Sequence, residues 1–303
     1  MRDAQACSTH LQNLNRLIDY QKNNRQKQKM DIPNINKNKI TEVLEKDKRL
    51  DGRKLLDYRD IEIETGISKN AEGTARVRIG KTEVIVGVKM DVQEPYPDHD
   101  DEGTLITGME FSPICGARYE SGPPKIDAIE VARVVDRGIR ESKFIDFKKL
   151  CIKEGEKVWS VLIDIYAIND DGNILDASAL ASVAALRVAR MPEYDEKTEK
   201  VKFGEFTKNP IPLTENIPFT MTFHKINGKL FVDPNRDEED TSSGRVTLAI
   251  TKPKKEYIIN AMQKGDIALI SIDELEQIIK ESEKIYDKIF PEIDKKIEKL
   301  GKK

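Results

Sequence analysis

Residues 158–190 constrain the fold more than any other stretch of the chain. The run VWSVLIDIYAI (158–168) alternates Trp159, Val161, Ile163 and Ile165 with Ser160, Leu162, Asp164 and Tyr166, the period of a mostly buried strand. Asp171-Gly172-Asn173 then turns the chain, and the small-residue run from Asp176 to Arg190 predicts a helix capped by Asp176. A strand that turns into a helix lays that helix on the sheet, which places the chain in the layered α/β or α+β class. Such junctions often hold phosphate on free backbone N–H groups and the positive helix end. Here Asp176 sets a negative charge at that end, and no Arg, Lys, Thr or glycine pair follows it. The geometry suits a phosphate site, but the chemistry for one is absent.

The rest of the chain reads as two αβ units behind a polar leader. Residues 1–36 carry Arg16, Lys22, Arg25, Lys27 and Lys29 with few apolar anchors, and read as a disordered leader, with Met30 an alternative start. The first unit (37–192) has a short helix at 40–49, then strands at 61–65, 75–80, 82–90 and 105–113. A helix at 125–142 and the 158–190 pair complete it. Met191-Pro192 and the charged stretch 194–202 mark the boundary. The second unit (193–303) has strands around 201–206, 217–226, 229–233 and 245–251, with Asn227-Gly228 as a hairpin turn. Ser271 and Glu274 open a last helix in capping-box spacing. Its apolar stripe (Leu275, Ile278, Ile279, Ile285 and onward) reads as packing on the second sheet, with Pro291 a kink or break.

Composition excludes several classes. The 303 residues carry 51 Lys and Arg against 54 Asp and Glu, a net charge of −3 that gives no global support for nucleic-acid binding. Any such binding must come from local patches. Cys7, Cys115 and Cys151 are odd in number and lack C-x-x-C spacing, so neither a disulfide framework nor a zinc site is expected, and a reducing cytoplasm is the default. No apolar run reaches the ~18 residues of a membrane span.

Two side-chain clusters invite chemical readings. Asp98, Asp100, Asp101 and Glu102 beside His99 suggest a metal, but neighbours in a solvated loop seldom converge on one ion, so no metal is expected. His224, in the alternating run FTMTFHKI, reads as a surface or edge histidine. Arg133, Arg137 and Arg140 fall on one helical face, with Ile129, Val134 and Val135 on the buried side. On spacing alone they fit intrahelical pairs with Glu130, Asp136 and Glu141 as well as a cationic stripe.

LDGRKLLDYR (50–59), GPPKIDAIEVARVVDRGIRES (122–142), LFVDPNRDEED (230–240) and the 170–192 stretch together resemble the RNase PH family, and within it the non-catalytic ring subunits of the archaeal exosome. The resemblance implies two RNase PH-like βαβ units with mixed sheets packed against helices. It also implies a ring of three heterodimers with a catalytic sister subunit, S1 or KH cap proteins on one face, single-stranded RNA as ligand, and no cofactor. Active members carry Asp, Gly or Ala, Gly, Thr or Ser, then Arg at the junction. Asp176, Ala177, Ser178, Ala179 and Leu180 stand there, so the glycine, the hydroxyl and the Arg are missing. Active members also place a catalytic Asp at the start of the strand near 246, where this chain has Gly244 or Arg245. The two losses imply an inactive homologue with Asp176 as a vestige. The alternatives are an active phosphate-dependent 3′→5′ exoribonuclease with unfamiliar phosphate ligands, and a general RNA-binding module without a ring. Arg133 and Arg137 match the family motif directed at the RNA path, followed by Arg140 and, near the Gly-Pro-Pro loop, Arg118. Arg53 reads as structural.

Overall fold

The computed structural model describes residues 33–195 and 198–301, so most of the leader lies outside the described residues. After helix α1 (Asn34–Glu45), the first sheet gathers β1 (Ile61–Thr65), β2 (Gly73–Ile79), β3 (Thr82–Gln93), β4 (Thr104–Phe111), β5 (Cys151–Lys153) and β6 (Lys157–Asn169). Its order is β1-β2-β3-β6-β4, with β5 beside β6. β4 runs parallel to β6 and the other pairs are antiparallel, so the sheet is mixed. Val84, Val86 and Val88 lie opposite Ala167, Ile165 and Ile163, and all six are buried.

Helix α2 (Ile126–Glu141) packs on β4, and α3 (Ile174–Val188) packs on β2 and β3. Every residue of α3 from Ile174 to Leu186 is buried. The reason is that α3 also meets the second sheet on its far side, at β9 (Phe219–Ile226). A helix covered all round has no polar face, and alanine and serine let both sheets approach it. α3 starts two residues before the predicted cap. Asn173, in the left-handed region (φ 62°), is its N-cap, and Asp176 lies inside the first turn.

The second sheet has the order β10-β9-β11-β12, with β10 (Lys229–Val232), β11 (Gly244–Thr251) and β12 (Ile258–Asp266), all antiparallel. β12 is absent from the sequence reading because IINAMQKGD shows no clean alternation. On either side of the boundary marked by 194–202, β7 (Arg190–Asp195) pairs antiparallel with β8 (Lys200–Pro210). The acidic stretch near 237–240 is a short helix, α4 (Arg236–Thr241), closed by a capping box between Asn235 and Glu238.

The last helix, α5 (Ile272–Gly301), continues through Pro291 instead of breaking there. Pro291 faces solvent, and Ile293 and Ile297 beyond it are buried, so packing outweighs one lost backbone bond. α5 packs on β9 and also on α3 and β1, so it spans both sheets. Among the described residues, no helix is long and apolar enough to cross a membrane.

Candidate functional site

The β6–α3 junction is held by charges brought from distant parts of the chain. Gly172 has φ +82°, and a Cβ there would lie 2.6 Å from the Pro234 carbonyl oxygen, so the turn presses directly on the 233–235 backbone. Asp233, buried, accepts from the Arg59 backbone N–H (2.8 Å), Arg59 Nη2 (2.7 Å), Arg53 Nη1 (2.8 Å) and Asn173 Nδ2 (2.8 Å). Burial pushes its pKa up, but the bonds and charge of Arg59 and Arg53 prevail and hold it below the usual range. Arg49, also buried, forks onto Glu238 of α4 and donates to the carbonyls of Val232 and Asp233. Arg53 is structural, as its sequence context indicates: it binds Asp51, the Asp57 carbonyl and Asp233.

Asp176 belongs to the same framework. It is buried and accepts from Thr222 N–H (3.1 Å), Thr222 Oγ1 (2.7 Å) and Tyr58 OH (3.0 Å). Burial raises its pKa to about 7 despite those bonds. It therefore ties β9 and the residue-58 segment to α3, and it does not line the pocket described next. Ser178, Ala179 and Leu180 are likewise buried and absent from that pocket's wall.

The pocket, of about 130 Å³, opens between the start of α3, α2, α4 and the start of β11. Three arginines line it (Arg118, Arg236 and Arg245), and each is already matched. Arg118 forks onto Asp240 at 3.0 and 2.7 Å. Arg236 meets Asp170 at 3.0 Å and Asp240 at 2.5 Å. Arg245 meets Glu130 at 2.6 Å. Tyr119 OH donates to Asp170 at 2.6 Å. Asp127, Glu239 and Asp266 add three more carboxylates, so six formal negative charges face three positive ones. An anion entering would add to that surplus. Of the two residues at the start of β11, Arg245 lines the pocket and Gly244 packs toward Ala268.

The four arginines assigned to the RNA path, three of them on α2, part company. Arg133 and Arg137 are exposed; Arg133 forms no ion pair among the described residues, and Arg137 donates to Gln263 Oε1 of β12. Arg140 pairs with Asp136 at 2.9 Å, one turn back, and donates to the Leu105 carbonyl. Arg118 belongs to the pocket, not to this stripe. Glu130 bridges to Arg245 of β11. Ile129, expected on the buried side, is 49% exposed, whereas Val131, Val134 and Val135 are buried.

His224 is also corrected. It is 2% exposed, because β9 is an inner strand and both its faces are covered, which defeats a period-two argument. His99 lies 3.7–3.8 Å from Asp98 and Glu102 on an open loop, and no group of three metal-type side chains converges among the described residues. Arg236, Asp170, Tyr119, Tyr58 and Asp233 escaped the sequence reading. Only Arg236 had a local signal, the Asn235–Glu238 capping-box spacing beside it.

A family model for the 3′ exoribonuclease family, domain 1, matches residues 57–192, and that for domain 2 matches 216–285. The chain is 44% identical over 249 residues to exosome complex component Rrp42 of Methanosarcina acetivorans, covering 82% of this chain and 89% of that one. It is 42% identical over 265 residues to the same-named protein of Thermococcus gammatolerans, covering 82% and 95%. A solved structure described as the Archaeoglobus fulgidus exosome with RNA bound to the active site contains a chain with TM-score 0.74 and 38% identity, covering 82% of this chain and 93% of that one. An archaeal exosome core contains another at TM-score 0.74 and 36% identity, covering 86% and 97%.

Proposed function

The chain belongs to the 3′ exoribonuclease family, and on that premise we propose that it is a non-catalytic, RNA-contacting subunit of an exosome ring of the archaeal type. It alternates with a catalytic sister subunit in three heterodimers, under cap proteins of S1 or KH fold, and its α2 arginines meet single-stranded RNA on the way to the sister's active site.

One observation carries the non-catalytic reading. Phosphorolysis needs orthophosphate held beside the scissile phosphodiester by donors aimed at the developing charge. In the pocket beside the start of α3 the guanidinium groups are all bound to carboxylates of the same chain, and carboxylates outnumber them. Orthophosphate would have to displace partners that are tethered in place. The vestigial Asp176 adds no acid to the pocket, since its carboxyl is engaged with Thr222 and Tyr58 away from it.

The test is phosphorolysis of single-stranded RNA by the purified chain, free of partner chains, in inorganic phosphate. No nucleoside diphosphate is expected from it alone, and release is expected once the catalytic sister is added. Nucleoside diphosphate from the isolated chain, lost on Asp176→Ala, would overturn the reading.

A further inference from the structure

One ion pair in the pocket wall, Arg245 with Glu130, joins β11 to α2. We propose that Arg245 and Glu130 are positioning residues whose bridge sets the rotation of α2, and so the placement of Arg133 and Arg137 along the RNA. This rests on the function proposed above.

The bridge is built into the sheet. Arg245 Nη2 lies 2.6 Å from Glu130 Oε1, and the two side chains are only 16% and 15% exposed. Arg245 stands directly opposite Gly265 in the β11–β12 register. A Cβ at Gly265 would come 2.3 Å from Arg245 Nε and 2.9 Å from its Cγ, so glycine there keeps the lane along which the arginine reaches α2. Two residues further along β12, Gln263 accepts from Arg137. The helix is therefore pinned to two neighbouring strands, to β11 through Glu130 and to β12 through Arg137, at points two turns apart.

Those two points lie on the helical face that also carries Arg133, since positions i, i+3 and i+7 share a face. The remaining grip on α2 comes mostly from apolar side chains such as Val131, Val135 and Ile139, with Arg140 and Asp136 bonding β4 near the helix's C-terminal end. Apolar contacts hold a helix down without choosing its rotation sharply, because they are non-directional. A charge-assisted bond of fixed length does choose it. A small rotation about the helix axis swings the tips of exposed arginines through a larger arc, and phosphate contacts depend steeply on that distance.

The test replaces the bridge with packing. Glu130→Met with Arg245→Met keeps volume and removes both buried charges together, an exchange that is often neutral for stability. RNA affinity is measured in the complex assembled with the catalytic sister, using an oligoadenylate at several salt concentrations, beside thermal melting. The expected result is parent-like melting, an affinity on the order of ten-fold weaker, and a salt slope between those of the parent and the Arg133→Glu, Arg137→Glu variant, because the guanidinium groups are displaced and not deleted. Parent affinity in the double variant overturns the proposal. If the methionine pair does not assemble, Arg245→Lys carries the same readout, since it keeps the charge and loses the planar fork. Arg133→Glu with Arg137→Glu is the control. If that pair leaves affinity and salt slope unchanged, the RNA-contact reading itself fails, which is distinguishable from failure of the bridge alone.

Discussion

A carboxyl buried without a cation titrates against the fold, and Asp176 does so here. Its folded pKa of about 7 stands above the ordinary 3.8, so the folded chain holds a proton that the unfolded chain has lost between those values. Stability therefore falls as pH rises from about 4 to about 7 and is level above. The contribution is on the order of 2–4 kcal/mol from a shift of that size. Asp176→Asn removes it. The amide nitrogen can replace Oδ1 toward Thr222 Oγ1, whose hydroxyl turns toward Thr247 Oγ1 at 3.1 Å, while the amide oxygen accepts the other two bonds. The variant is expected to be more stable than the parent at pH 8 and equal to it below pH 4. Urea unfolding of both chains across that range checks this, because the difference cancels every other titration. A difference independent of pH would refute it. Asp233 behaves oppositely, since Arg59 and Arg53 keep it charged. Nothing local in the sequence separates these two aspartates; the separation comes from Arg59 and Arg53, which reach Asp233 and not Asp176 from 174 and 180 residues away.

At the level of elements, α2 is where the sequence was most informative and least complete. Its limits and its exposed arginines were legible, because helical period and charge follow from residue order. Which arginines are available was not. Arg140 is taken by Asp136 on its own helix, a pairing that spacing does suggest, while Glu130 is taken by a strand that spacing cannot see. Arg133 and Arg137 remain the exposed pair without a carboxylate partner among the described residues. Changing both to Glu in the assembled complex is expected to weaken RNA binding by on the order of 1–3 kcal/mol across sequences and to flatten its salt dependence. Affinity at several salt concentrations, with sizing of the same complex, measures this. The ring should still assemble if both side chains face the RNA.

The whole molecule presents edges and apolar side chains that a lone chain does not cover. β4 and β12 each end their sheet, and Ile258, Met262, Ile267, Leu269 and Ile272 are exposed on and just after β12. Open strand edges beside exposed apolar groups fit a chain that works in an assembly. Mixed with a catalytic sister subunit, it is expected to elute on sizing as one larger species containing equal numbers of both. Two separate peaks at micromolar concentration would count against a ring role. From residue order alone came the strand–turn–helix junction, the α+β class and the absence of phosphate ligands at 178–180, since period, turn chemistry and side-chain type are local properties. Tertiary structure decided the rest. It turned Asp176 inward, buried His224 in an inner strand, kept α5 continuous past Pro291, and matched the arginines of the pocket beside α3 with carboxylates. Each of these depends on burial and on charges brought together from distant segments, and neither distance nor dielectric is written in the spacing of residues along a chain.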